Sequence, residues 1–259
     1  MRVATWNVNS VTARVERLVG WLASAKPDVV CLQELKSTDE GFPAERVAEL
    51  GYEAATWGTG RWNGVAILSR IGLADVVRGW PGLPEFDGAL EARAITATCG
   101  PVRVTSVYVP PGREVGHAHF DYKLRWLDSL VAAAGESASA DRPYAVLGDF
   151  NIAPTDKDVW DRSLFEGSTH VTPAERERLA GLVGRGLVEV LPRALKYDKP
   201  FTYWDYRQLA FPKNYGMRID LVFGNAAFAN AVSDAYVDRE ERKGKGASDH
   251  APVVVDLAV

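Results

Sequence analysis

Soft metal ligands and thiols are scarce in this chain: its 259 residues include two cysteines, Cys31 and Cys99, and four histidines. So few cysteines exclude a disulfide-rich scaffold, and the sequence reads them as buried free thiols in apolar runs. The same scarcity argues against a zinc centre. No apolar run is long enough to span a bilayer and no N-terminal leader pattern is present, so the expectation is a cytosolic protein that does not bind membrane. Positive charge is not in excess either. The formal net charge of −4 runs against nucleic-acid binding, since such domains are often basic. No Gly-x-Ser-x-Gly and no activated cysteine supports a covalent nucleophile. Neither a fixed-period repeat nor a composition break marking a linker appears, so residues 1–259 read as one domain, with nothing that requires an oligomer.

What is present is a series of short, β-branched apolar runs: Val3–Trp6, Val29–Leu32, Val65–Leu68, Ala94–Thr98, Val102–Val109, Ala145–Leu147, Ile219–Phe223 and Val253–Leu257. Several are continuous rather than alternating, as expected of strands covered on both faces. Helical stripes lie between some of them: Val15, Leu18, Val19 and Leu22; Leu124, Leu127, Leu130 and Val131; and Ala174–Val183, with Pro173 and Glu175 suiting a helix start. Ala132–Ala140 reads as a frayed helix end. Strands come both singly and in adjacent pairs, which fits two packed sheets flanked by helices better than a simple βαβ repeat.

Polar residues gather where these runs stop. Trp6-Asn7-Val8-Asn9, Gln33-Glu34-Leu35-Lys36 and Gly148-Asp149-Phe150-Asn151 close three runs, and Ser248-Asp249-His250 opens the last. Each cluster alone is weak, because Gly-Asp is an ordinary turn pair and a Glu after a strand is usually solvated. Together they supply carboxylates, amides and one imidazole, an oxygen-rich set suited to Mg²⁺, with Mn²⁺ as a substitute. The other histidines, His117, His119 and His170, lie in loop-like stretches without ligand spacing. The region from Lys196 to Arg218 interleaves basic and aromatic residues, a composition that suits a nucleic-acid strand.

The segments TWNVNS, LQELK, YVPPG, GDFNIAPTD, MRIDLVF and SDHAPV, in this order, resemble the exonuclease III family of abasic-site endonucleases. That family sits within the larger endonuclease/exonuclease/phosphatase fold, and the resemblance runs from Val3 to Leu257. It implies an α/β fold of the deoxyribonuclease-I-like kind: a four-layer sandwich of two face-to-face mixed β-sheets flanked by helices, with the active site at one end. It implies metal binding by Glu34, with Asn7, Asp149, Asn151, Asp249 and His250 as further candidates. Asp149 would orient or deprotonate the attacking water, Asn151 and His250 would contact the phosphate, Asp220 would pair with His250, and Tyr108 would stand near the scissile phosphate. Lys36 would steady Glu34, with Asn9 beside them. Tyr203, Trp204, Met217 and Ile219 would line a pocket for a base-free sugar, and Arg113 and Lys213 are candidate DNA contacts. The implied partner is double-stranded DNA with abasic sites or blocked 3′ ends, handled by a monomer in the bacterial cytosol or nucleoid. The implied reaction is hydrolysis 5′ to the abasic site, leaving a 3′-hydroxyl, with 3′→5′ exonuclease and 3′-phosphatase activity. The competing readings are another phosphatase or phosphodiesterase of the superfamily and a damage-binding module with weak catalysis.

Overall fold

The computed structural model describes the backbone of residues 1–259 and every side chain except that of Glu136. The strands are β1 (Arg2–Asn7), β2 (Val29–Gln33), β3 (Glu53–Trp57), β4 (Val65–Ser69), β5 (Ala74–Arg78), β6 (Ala94–Cys99), β7 (Val102–Tyr108), β8 (Tyr144–Asp149), β9 (Val188–Glu189), β10 (Arg193–Ala194), β11 (Asp220–Gly224), β12 (Val232–Val237) and β13 (Val253–Leu257). The helices are α1 (Val15–Ala25), α2 (Ala44–Ala48), α3 (Ala118–Ala138), α4 (Pro173–Gly184), α5 (Ala210–Lys213) and α6 (Ala226–Ala231). One sheet runs β10-β12-β13-β1-β2-β4-β3, the other β5-β6-β7-β8-β11-β9.

The apolar runs found in the sequence become the central strands. Every residue of β2, β4, β8 and β11 is buried, because these strands are covered on both faces. Val3, Val29, Cys31 and Ile67 of the first sheet meet Ile95, Val104, Leu147 and Val222 of the second in the inter-sheet core. Outside the first sheet, Leu18, Trp21 and Leu22 of α1 pack on Trp6, Val30 and Leu32. Outside the second, Tyr122, Trp126 and Leu130 of α3 and Leu182 of α4 pack on Val146, Leu221 and Phe223. Two sheets between two helical layers is the four-layer sandwich expected. Both cysteines are free and buried, and no helix is long and apolar enough to cross a membrane among the described residues.

The helix calculus needs two corrections. Helix α3 continues through Ala138, so most of Ala132–Ala140 is ordered helix rather than a frayed end; Ala134 packs into the outer core and holds it. His119 lies in the first turn of α3 and His117 is its N-cap, accepting from the His119 backbone N–H, so neither is a loop residue.

Topology brings the polar strand ends to one edge of the sandwich. β1 and β2 are parallel, with Asn7 opposite Gln33; β13 is antiparallel to β1, so its start lies beside the end of β1. In the second sheet Tyr108, Asp149 and Asp220 form a row across β7, β8 and β11. Gly148 makes that row possible. It sits at φ 152°, and a Cβ there would stand 1.9 Å from the Val107 carbonyl oxygen, so only glycine lets β8 close against β7.

Candidate active site

The floor of the site is a set of buried carboxylates held by amides and cations. Asn7, at the end of β1, donates through Nδ2 to Glu34 Oε1 (3.0 Å) and to Asp149 Oδ2 (2.9 Å). Its Oδ1 accepts the Asn9 backbone N–H at 2.9 Å. Asn7 thus ties the two carboxylates together, and its Oδ1, with one N–H bound, keeps a second lone pair. Glu34 follows β2 in left-handed backbone, φ 50°, and turns its side chain back to the site. Lys36 lies 2.9 Å from Glu34 Oε2 and bonds Asn9 Oδ1; Asn9 in turn donates to Asp249 Oδ1 at 3.0 Å. The expected steadying role of Lys36 is therefore present, extended to Asp249 through Asn9.

His250 stands between carboxylates. Its Nδ1 lies 2.8 Å from Asp220 Oδ2, and its Nε2 lies 3.8 Å from Asp149 Oδ2. Burial opposes its charge, but Asp220, Asp149 and Asp249 outweigh burial and push the imidazole pKa up to about 10. A protonated imidazole donates from both ring nitrogens, so with Nδ1 on Asp220 its Nε2 is turned toward Asp149. The Asp149 carboxyl is pushed up to about 7: burial raises it, His250 opposes, and Asp220 and Glu34 add to the rise. For Glu34, burial is outweighed by Lys36 and by the Asn7 hydrogen bond, so its carboxyl is held below the usual range. The Tyr108 phenol is pushed well up by burial and by Glu34, so it remains a donor at neutral pH.

These residues suit a hard cation. Oxygens of Glu34 and Asp149 and a nitrogen of His250 lie within 4.8 Å of one another. Asp220 Oδ1 is buried without a hydrogen-bond partner, an acceptor left open beside the cluster. The carboxylates of Glu34, Asp149 and Asp249 all face the same cavity. Asn151 spends its Nδ2 on Val109 O at 2.9 Å, which leaves Oδ1 as its acceptor.

Above the floor opens a cavity of about 540 Å³. Glu34, Tyr108, Asp149, Asn151, Asp249 and His250 form one side, and Tyr203, Met217 and Ile219 line another as expected. Trp204 does not line it. Tyr203 pairs with both Met217 and His250, and since successive side chains of extended chain alternate, Trp204 turns away into the core. There it is fully buried, with Phe211 edge-on at 5.2 Å and the Arg239 guanidinium over its ring. The basic strip also shrinks: Arg218 is buried between Asp158 (2.7 Å) and Glu189 (2.6 Å), so it is a structural cation. Lys213 stays exposed, its ammonium 5.4 Å from the Tyr215 ring. Arg113 lies outside this cavity, in a neighbouring groove with Lys36, Trp62 and His119.

Sequence reasoning missed several cavity residues. Trp160 and Tyr215 stack at 3.9 Å between centroids and 13° between planes, and Phe165 and His170 join the wall together with the polar Asp205, Arg207 and Gln208. Trp160 had a signal, since it ends the NIAPTDKDVW stretch that follows Asp149 and Asn151. His170 had none. Its ring Nδ1 meets Asn151 O at 2.5 Å, and burial together with Lys123 lowers its pKa to about 4, leaving it neutral.

The same architecture occurs in known proteins. The chain is 30% identical over 266 residues to exodeoxyribonuclease III of Haemophilus influenzae, covering 98% of each. A 3′-5′ exonuclease (NExo) of Neisseria meningitidis superposes with a TM-score of 0.94 at 35% identity over 100% of both chains. A Neisseria structure described as the 3′ phosphatase NExo, bound to a product DNA hairpin, superposes at 0.93 over 99% of each chain with 35% identity. An AP endonuclease of Archaeoglobus fulgidus superposes at 0.93 with 29% identity, again over 100% of both. A model of the endonuclease/exonuclease/phosphatase family matches residues 4–250, a span that takes in every strand-end residue from Asn7 to His250. The strand-end acids, the imidazole between them and the length of these matches lead to one assignment: the chain belongs to the endonuclease/exonuclease/phosphatase family, in its exonuclease III branch.

Proposed function

We propose that the chain is a Mg²⁺-dependent DNA-repair nuclease. It hydrolyses the phosphodiester 5′ to an abasic site, leaving a 3′-hydroxyl, and uses the same centre for 3′→5′ exonuclease and 3′-phosphatase activity. The observation that carries this reading is the placement of Asp149, a buried carboxylate 2.9 Å from Asn7 Nδ2 and 3.8 Å from His250 Nε2, beside Glu34 at the base of the cavity. A base with its pKa near the working pH is efficient at taking the proton of an attacking water, a contribution of ~10²–10⁴-fold. His250, held by Asp220, presents Nε2 to a non-bridging phosphate oxygen and stabilises the charge that builds there. Tyr108 donates its phenol to the same phosphate, and Asn151 orients beside it. Glu34 and Asp149 would hold a Mg²⁺, which would supply neutralisation of the phosphate and of the leaving oxygen; Mn²⁺ would suit the same oxygens.

Tyr203, Met217 and Ile219 form an apolar wall that takes a sugar without its base, because extruding a nucleotide costs least where stacking and pairing are already lost. The chain acts as a monomer on duplex DNA in the cytosol. The test uses three labelled duplexes: one with an abasic analogue, one with a 3′-phosphate and one undamaged, each with Mg²⁺ or with EDTA. Cleavage at the abasic position and release of inorganic phosphate, both abolished by EDTA, are the expected results. A protein that cuts none of them with Mg²⁺ present, or cuts them equally in EDTA, contradicts the reading.

A further inference from the structure

Behind the site lies a buried ion pair that the chemistry above does not use. Lys123, in the second turn of α3, and Glu175, in the first turn of α4, both have fully buried side chains, with Lys123 Nζ 2.5 Å from Glu175 Oε1. The pair serves two helices and three loops. Lys123 Nζ also reaches Asn151 O at 2.7 Å, Thr169 Oγ1 at 3.3 Å and Pro111 O at 3.5 Å. Glu175 Oε1 accepts from Thr169 Oγ1 (2.8 Å) and from the His170 N–H (2.9 Å). Its Oε2 closes the capping box of α4 on the N–H (3.0 Å) and hydroxyl (2.7 Å) of Thr172.

The Asn151 carbonyl is where this network meets the site. It takes the Lys123 ammonium on one side and the His170 ring on the other. Asn151 is in left-handed backbone, φ 51°, a conformation that surrounding contacts must hold. In that conformation its N–H donates to Asp149 Oδ1 at 2.9 Å, while Asp149 Oδ2 faces Asn7 and His250. One residue therefore links the two: the carbonyl held by the ammonium and the N–H that meets Asp149 lie on either side of the Asn151 Cα, joined through its left-handed backbone.

We propose that Lys123 and Glu175 are positioning residues: the pair clamps the Asn151 carbonyl so that the Asn151 N–H fixes the orientation of Asp149 toward its water. The proposal rests on the nuclease reading for the role of Asp149, but not for the clamp itself. A buried pair of this kind stabilises little compared with well-packed apolar residues, so its value lies in geometry. A misplacement of about 1 Å far from the reacting atoms can cost about 10²-fold in rate.

The test compares Lys123→Met, Glu175→Gln and Lys123→Arg with wild type, and uses Leu182→Ala, a fully buried core change in α4, as a control for lost stability. Two quantities are read below the melting temperature of every variant. One is kcat and KM on the 3′-phosphate duplex with saturating Mg²⁺; the other is amide hydrogen exchange at Asn151, which involves no substrate. Lys123→Met is expected to lower kcat by on the order of 10²-fold, with little change in KM, and to speed Asn151 exchange. Glu175→Gln, which keeps the helix cap but not the charge, is expected to fall between, and Lys123→Arg to recover part of kcat. Leu182→Ala should lose stability but keep kcat. Wild-type kcat in folded Lys123→Met overturns the proposal, as does an equal kcat loss in Leu182→Ala. If wild type itself cuts no DNA, the nuclease reading falls, and unchanged Asn151 exchange in Lys123→Met then overturns the clamp independently.

Discussion

The floor and the rim of the cavity are built by different means. On the floor, Asn7, Asp149 and Asp220 lie in strands, and Glu34 and His250 lie within one to three residues of a strand end. Their positions follow from sheet register, and the floor is cross-linked by hydrogen bonds from Asn7 to Glu34 and Asp149 and from His250 to Asp220. On the rim, Trp160, Phe165, Tyr203, Tyr215 and Met217 come from connecting segments and short helical turns, held by ring stacking and isolated bridges. A loop-built wall can change shape without moving the floor. Under the proposed function, the chemistry belongs to the floor and the choice of substrate to the rim.

The largest expected effect is at the floor. Asp149→Asn keeps the shape but removes the base and turns one acceptor oxygen into a donor, so single-turnover rates should fall by at least ~10²–10⁴-fold on every substrate alike. A loss confined to one substrate would break the division. Next, His250→Ala and the double variant with Asp220→Ala should lose nearly the same activity, because groups acting as a unit are non-additive. Losses that multiply would separate Asp220 from His250. Glu34→Gln should raise the Mg²⁺ concentration needed for half-maximal rate and recover much of its rate at high Mg²⁺; a titration curve identical to wild type would remove Glu34 from the metal site.

The rim should respond differently. Met217→Ala widens the wall and should raise cleavage at undamaged positions relative to abasic ones by roughly 10-fold, the order of one or two methylene contacts in an apolar pocket. Trp204→Ala should leave that ratio alone and lower the melting temperature instead, since deleting a buried Trp typically costs ~3–5 kcal/mol. The smallest effect is at the edge of the rim. Lys213→Ala should reduce the slope of log K against log salt by about 0.9 for the loss of one phosphate contact on duplex DNA. An unchanged slope would remove Lys213 from the DNA surface.

The same contrast explains what could be read from the sequence. Continuous apolar runs such as Val29–Leu32 and Ala145–Leu147 mark strands buried on both faces, so β2 and β8 were legible together with the polar residues that end them. Strand β5, Ala74–Arg78, is exposed at all five positions and lies at a sheet edge, so it carries no apolar pattern to read. Strand β3 buries only Ala55, and β12 alternates weakly. The acids of the floor were legible because motif order carries register. The direction of Trp204 was not, because an isolated bridge flips neighbouring side chains to opposite faces without any change in composition. Lys123 was hidden for a related reason: a lysine on a helix normally reads as solvated, and its partner Glu175 comes from another helix 52 residues on.

The central claim is that floor and rim are separable, and one paired measurement tests it directly. Rates under kcat/KM conditions would be taken for wild type, Asp149→Asn and Met217→Ala on an abasic duplex and on an undamaged duplex, using one folded preparation of each protein. The account predicts that Asp149→Asn lowers both rates by the same factor and keeps their ratio, while Met217→Ala shifts the ratio toward undamaged DNA with a smaller loss on the abasic duplex. An altered ratio in Asp149→Asn together with a wild-type ratio in Met217→Ala would contradict it.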